Sequence, residues 1–216
     1  IGSGLVGSEM CIRDSYKAIL YNEASFMGTK IETFEGGRNA SPITGATLTG
    51  YYLRKYMNET VSLSPTNPIK KPHHFVLFRY AETLLNYAEA MNELGGPDYT
   101  ADELPISART ALNKVRSAAN MPDITDNGDD FTARLRNERR VELAFEDHRF
   151  WDIRRWMIGD VVKDIYGVKI TKKGSKYSYT PTKIQTRVWN EKMNLYPIAQ
   201  SEIYKNGNLT QNDGWE

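Results

Sequence analysis

The sequence is poor in the residues that build covalent or metal-held frameworks. Its 216 residues include one Cys and three His. A single thiol rules out an internal disulfide framework, and so few soft or borderline ligands leave little basis for a Cys/His zinc site. Charge of one sign is lacking as well. Lys and Arg number 28 against 27 Asp and Glu, a formal net charge of +1. That balance argues against a nucleic-acid-coating protein and against a polyanionic tail. No apolar run approaches the ~18 residues of a membrane span. Hydrophobic residues make up 40% and the mean hydropathy is −0.57, as in a globular domain. The length suits one domain or one and a half, and allows roughly 70% of the unfolded surface to be buried. What the chain does have is aromatic side chains: 13 Tyr, 7 Phe and 4 Trp.

Residues 1–15, IGSGLVGSEMCIRDS, show neither helical nor strand periodicity. They lack the basic and apolar regions of a signal peptide, and Cys11 does not follow the small apolar residues of a lipobox. The segment reads as non-native sequence or a disordered tail, and the remainder as a C-terminal fragment of a longer protein. Residues 16–72 read as a loop-rich part. Tyr16 to Phe26 suits a short helix, Gly28, Gly36, Gly37, Gly45 and Gly50 suit turns, and Gly50 to Tyr56 suits one short strand. Pro65, Pro68 and Pro72 imply an extended connector.

From residue 73 the period becomes helical. Residues 75–94 place Leu77, Ala81, Leu84, Leu85, Ala88 and Met91 on one stripe, with Gly95, Gly96 and Pro97 as the stop. Residues 106–119 form a second helix with Ile106, Ala108, Ala111, Leu112, Val115 and Ala119 inward. Two Ala-rich amphipathic helices on a short loop predict an antiparallel hairpin of the tetratricopeptide-like kind. Only one clear copy is visible, so it must stack on other helices. Residues 131–146 predict a third helix, capped at Asp130 or Thr132, and 148–157 a fourth, ended by Gly159, with Phe150, Ile153 and Met157 on one face. Alternation at 168–171 and 177–180 around Gly174 predicts a β-hairpin, and 197–203 holds one helical turn.

The densest charge cluster runs from Glu138 to Arg155. Glu138 and Glu142 stand at i, i+4 and could imitate a glycosidase carboxylate pair. Arginines at helical spacing, Arg139, Arg149 and Arg155 among them, favour structural ion pairs with Glu138, Glu146 and Asp152 instead. Such pairing lowers carboxyl pKa values, the opposite of what a general acid needs. No catalytic residue is assigned. His73, His74 and His148 lack HExxH-type spacing, so neither metal nor cofactor is assigned. Tyr and Trp rings can stack on sugars, yet Trp151 and Trp156 lie on helices and read as core.

FRYAETLLNYAEAMNELG, ALNKVRSAANMP, RNERRVELAFEDHRFWDIRRW and LYPIAQSEIYKNGNLTQNDGW, in this order, together with TGYYLRKY at 49–56, resemble the C-terminal part of the SusD/RagB family. The likeness covers about residues 45–216. The family's usual pattern has Gly where this chain has Asp147, and commonly Pro at Ala199. The resemblance implies a mainly α fold of tetratricopeptide-like helical hairpins, with an irregular, loop-rich part and a small β-hairpin. It divides the chain into 16–72, loop-rich with short strands, and 73–216, the helical domain with its hairpin and tail.

By the same resemblance the protein is a surface-exposed outer-membrane lipoprotein of Bacteroidetes, anchored by an N-terminal lipid outside this sequence. It implies no enzyme but a binder of oligosaccharide, which serves nutrient import beside a SusC-like TonB-dependent transporter. The family's sugar contacts lie mostly upstream and none carries over residue by residue. A glycan-degrading hydrolase, or a helical scaffold without a small ligand, are the alternatives. The helices from 75 to 157 are expected to spend their apolar faces on each other. Tyr21, Phe26, Phe34, Tyr51 and Tyr52, aromatics among glycine-rich loops, are then the candidate ligand contacts of this chain.

Overall fold

The structure, a computed structural model of the chain, describes residues 17–62 and 64–216. The expectations for residues 1–15 lie outside the described residues. Helix α1 (Tyr80–Gly95) buries Leu84, Leu85, Ala88 and Met91. It begins five residues later than its apolar stripe predicts. Arg79 is held extended at φ −151°, ψ 156°, and Leu77 is 78% exposed. The helix ends as expected: Gly96, at φ +88°, donates its N–H to Asn92 O at 2.9 Å, a geometry that favours glycine.

Helix α2 (Ala108–Ala118) starts on a side-chain cap, because Ser107 Oγ accepts from the Thr110 N–H at 3.2 Å. Its buried face of Ala108, Ala111, Leu112 and Val115 packs on α1. Ala88 and Ala111 are fully buried and let the two backbones approach closely. The Tyr87 hydroxyl donates to Ile106 O at 2.6 Å and pins the hairpin's entry. Helix α3 (Gly128–Glu142) begins before either expected cap. Asn127 is the extended N-cap residue, Asp129 and Asp130 occupy the first turn where the helix dipole favours negative charge, and Thr132 donates to Gly128 O inside the helix. Phe131 and Leu135, with Leu143 just beyond, complete the α1–α2 core. A third helix thus supplies the stacking partner that a lone helical hairpin needs.

Among the described residues, contacts separate two units, each discontinuous in sequence. One comprises 17–31 and Tyr52–His148. Beside the helices it holds β1 (Ile19–Leu20) paired antiparallel with β4 (Tyr52–Leu53), and β2 (Ser25–Phe26) paired with β3 (Thr29–Lys30). Of the short helix expected from Tyr16 to Phe26, Lys17 and Ala18 are helical, and from Ile19 the chain goes over to strands and turns: Glu23 at φ +68° and Met27 at φ +48° reverse the chain where a helix would need negative φ.

The other unit comprises Glu32–Tyr51 and Arg149–Glu216. It contains nearly all of α4 (His148–Arg155), the hairpin β5 (Asp164–Lys173) and β6 (Lys176–Thr186), and the short helix α5 (Gln200–Lys205). The hairpin is longer than the alternating residues alone predict. Its strand β5 is met from the side by residues 49–50: Val168 donates to Thr49 O at 2.9 Å, and a Cβ on Gly167 would stand 2.6 Å from Thr49 Cα. The tail is irregular but tied down. The Gln211 side chain both accepts from and donates to the Ile198 backbone, at 2.7 and 2.9 Å, and the Trp215 indole donates to Lys192 O at 2.9 Å.

Candidate ligand-binding site

The carboxylates that could have imitated an acid/base pair are all paired with cations. Glu138 Oε2 accepts from Arg116 Nη1 at 2.6 Å, and both side chains are almost wholly buried. The partner comes from α2, beyond the reach of the i±4 spacing read from the sequence. Arg139 turns to Asn86 Oδ1 at 2.6 Å. Glu142 accepts from Arg79 Nη1, and Glu146 from Arg79 Nε at 2.7 Å and from Lys55. Lys55 also donates to the carbonyls of Glu142 and Ala144, at 3.1 and 2.9 Å, which ends α3 on a cation. Burial pushes the Glu146 carboxyl up, but the hydrogen bonds from Arg79 and Lys55 outweigh it and leave its pKa lowered. In the other unit Asp152 pairs with Arg155 at 2.8 Å. Each of these carboxylates is committed to a cation, and those of Glu142 and Glu146 tie Arg79 to the end of α3.

The expected exhaustion of helical apolar surface does not hold at α4. Ile153 is buried as expected, but Phe150 is 40%, Trp151 57% and Met157 77% exposed. The reason is the shortness of the helix. Its buried turn is spent on Asp152 and Ile153, and Met157, at φ +53°, turns the chain away. The rings of Phe150, Trp151 and Tyr196 form a triad with centroids 5.1, 5.8 and 5.9 Å apart. The Arg154 guanidinium stacks on Phe150 at 3.6 Å and also faces Trp189 and Tyr196, a cation–π anchor that fixes the rings. Beside them opens a groove of about 860 Å³ with Trp151, Met157, Leu195 and Tyr196 among its apolar walls. Asn190, Lys192, Asn194 and Arg154 line the same groove with polar side chains. An apolar, aromatic floor with convergent polar groups is the usual make-up of a small-ligand site. Trp151 and Tyr196 carried no sequence signal for such a place, since helical spacing alone assigns Trp151 to the core.

The five aromatics singled out in the loops are not brought to one place. Tyr21, Phe26 and Tyr52 pack against the small cluster of Leu20, Ala24 and Ile31. Phe34 belongs to the other unit, where it meets Tyr177 at 5.6 Å under the Lys172 ammonium. Tyr51, also there, is half-buried, and burial followed by the nearness of Tyr179 raises its pKa. His73 stands beside Tyr56, and His148 Nε2 lies 3.5 Å from Glu82 Oε2.

Helical hairpins of the tetratricopeptide type, joined to an irregular unit with an open aromatic groove, define the class of protein. The SusD family model matches residues 14–215, and the chain belongs to that family. Among curated proteins it is similar to two SusD-like proteins of Formosa agariphila. It is 35% identical to P38 over 46% of this chain and 19% of the relative, and 29% identical to P25 over 75% and 28%. The solved structure of a SusD-like protein from Bacteroides fragilis superposes with a TM-score of 0.77 at 28% identity, covering 93% of this chain and 38% of that one. The chain therefore spans less than a third of the length of these curated relatives and under two-fifths of the solved one. Asp147, where the resemblance leads one to expect Gly, adopts φ +63°, a backbone that favours glycine.

Proposed function

We propose that the protein binds oligosaccharide without cleaving it and serves nutrient import at the outer membrane, as a surface-exposed lipoprotein beside a SusC-like TonB-dependent transporter. Membership of the SusD family is the observation that carries this reading. The groove beside α4 supports it chemically. A pyranose offers an apolar CH face and a rim of hydroxyls. Trp151 and Tyr196 offer exposed ring faces, and Asn190, Lys192 and Asn194 put polar side chains along the same groove. Phe34 and Tyr51 are further candidate contacts in the same unit, and Tyr21, Phe26 and Tyr52 in the other. The pairing of Glu138, Glu142, Glu146 and Asp152 with cations speaks against the alternative of a hydrolase. The exposed aromatic triad speaks against a scaffold without a ligand.

The test is incubation of the chain with neutral oligosaccharides, followed by affinity electrophoresis and a reducing-end assay. Retardation without new reducing ends is expected. Trp151→Ala should weaken retention by about fivefold to tenfold, the worth of one stacked aromatic face. New reducing ends would establish the hydrolase. Retention unchanged in Trp151→Ala would move the site elsewhere. A transporter barrel co-purifying with the full-length protein from outer membranes tests the partner.

A further inference from the structure

The β5–β6 hairpin has an unbalanced charge. Its two strands carry five lysines and one aspartate, in a chain whose net charge is only +1. Two of the lysines are neutralised near the strands: Lys169 pairs with Glu35 at 2.9 Å and Lys183 with Asp164 at 3.5 Å. The remaining three crowd the turn end. The register sets Lys173 opposite Lys176 and Lys172 opposite Tyr177, and among the described residues none of the three lysines has a carboxylate partner. What holds Lys172 is aromatic. Its ammonium stands 4.6 Å from the Phe34 ring centre and 5.4 Å from that of Tyr177. Tyr179, 56% exposed, continues the row 6.4 Å from Tyr177. Ring faces thus position an ammonium whose charge remains available.

Rings that hold the Lys172 ammonium, with the ammoniums of Lys173 and Lys176 at the adjoining turn, match one kind of ligand. The ring faces take the CH face of a sugar, and the ammoniums take a carboxylate or sulfate on it. A neutral sugar would leave the charges idle. A nucleic acid would demand a larger basic surface than this balanced chain carries. Insertion into a membrane needs an apolar wedge, and the turn itself is Gly174-Ser175 between lysines. We propose that the turn end of this hairpin, with Phe34, Lys172, Lys173, Lys176, Tyr177 and Tyr179, is a binding site for an acidic saccharide, a uronate or a sulfated sugar. The inference rests on the glycan-binding reading and adds to it a charge preference and a second place of contact.

The test titrates the 216-residue chain calorimetrically, at low salt and at 0.15 M (about one 8 Å Debye length), with oligogalacturonate, a sulfated carrageenan oligosaccharide and a neutral cello-oligosaccharide of equal length. Phosphatidylglycerol vesicles form a separate arm. At least one acidic oligomer should bind about tenfold tighter than the neutral one, an advantage that shrinks with salt. K172Q/K173Q/K176Q should abolish it at an unchanged melting temperature, while K114Q, on the exposed face of α2, should leave it intact. Comparison of the two acidic oligomers tells uronate from sulfate. Equal affinity for acidic and neutral oligomers, a preference that survives the triple substitution, an equal loss in K114Q, or lysine-dependent vesicle binding without acidic-sugar binding would each overturn the proposal. If neutral oligomers bind and acidic ones gain nothing, this inference alone fails. If no oligosaccharide of either kind binds, the glycan-binding reading fails with it.

Discussion

Replacing Glu138 with Leu should be among the most damaging single changes to the helical unit. Glu138 and Arg116 are 2% and 1% exposed, and the Arg116 guanidinium also donates through Nε and Nη2 to Pro122 O, at 2.8 and 2.6 Å. E138L leaves a buried guanidinium without its counter-charge, which costs about 3–5 kcal/mol. At roughly 3 °C per kcal/mol for a domain of this size, the melting point should fall by about 10 °C. R116M removes the cation from beside the buried carboxylate instead and should cost about 3 kcal/mol. The double variant R116M/E138L is the decisive member. With both charges gone, no buried charge is left uncompensated and what is lost is hydrogen bonding, that to Pro122 O included, so it should lie about 1–2 kcal/mol below the parent and above either single variant. Urea unfolding by circular dichroism, with hydrogen exchange of α2 and α3 amides, measures the cycle. The second probe is needed because two compact units need not unfold together. Additive single costs in the double variant, or a cost under ~1 kcal/mol for E138L, would refute the reasoning.

Two further outcomes follow from the end of α3. The Glu146 carboxyl has a folded pKa below its ordinary 4.5, so its ionised form stabilises the fold above that value, and this contribution disappears as pH falls through the folded pKa. E146Q should therefore lower the urea midpoint at pH 7 much more than at pH 3, and an equal loss at both would count against the ion pairs with Arg79 and Lys55. Asp147→Gly should stabilise the chain by about 0.5–1 kcal/mol, because φ +63° costs a side-chain-bearing residue more than it costs glycine. A lower melting temperature in that variant would show that the Asp147 side chain contributes more than its backbone strain removes.

The α1–α2 hairpin was legible because its signals are local. The stripe from Leu84 to Met91, the inner face from Ala108 to Val115 and the Gly95-Gly96 stop all sit within a few residues of what they specify. The β5–β6 hairpin was legible for the same reason, through alternation around Gly174. The failures share the opposite property. The start of α1 is set by Arg79, whose partners Glu142 and Glu146 lie 63 and 67 residues further on. Glu138 finds Arg116 across two helices, where i±4 arithmetic offers only its own neighbours. At Tyr16–Phe26 the apolar content suits a helix, but Glu23 and Met27 turn left-handed and the strand partner Tyr52–Leu53 is more than thirty residues away.

The candidate site was hardest to see for a related reason. A helical pattern identifies which residues share a face, but not whether another element covers that face. Phe150 and Trp151 have the apolar character of core residues, and the sequence gives no sign that only Asp152 and Ile153 would be taken inward. Composition came closer than periodicity. An excess of aromatics in a chain whose core is mostly Leu, Ala and Ile means that many rings have no place in that core. The loop residues Tyr21, Phe26 and Tyr52 found cover in a cluster of their own. Trp151 and Tyr196 did not, and the cost of leaving two large rings in water is the kind that a ligand or partner repays. The same reasoning applies to Lys172. A cation with no carboxylate beside it among the described residues, held instead by Phe34 and Tyr177, keeps its attraction for an anion from outside.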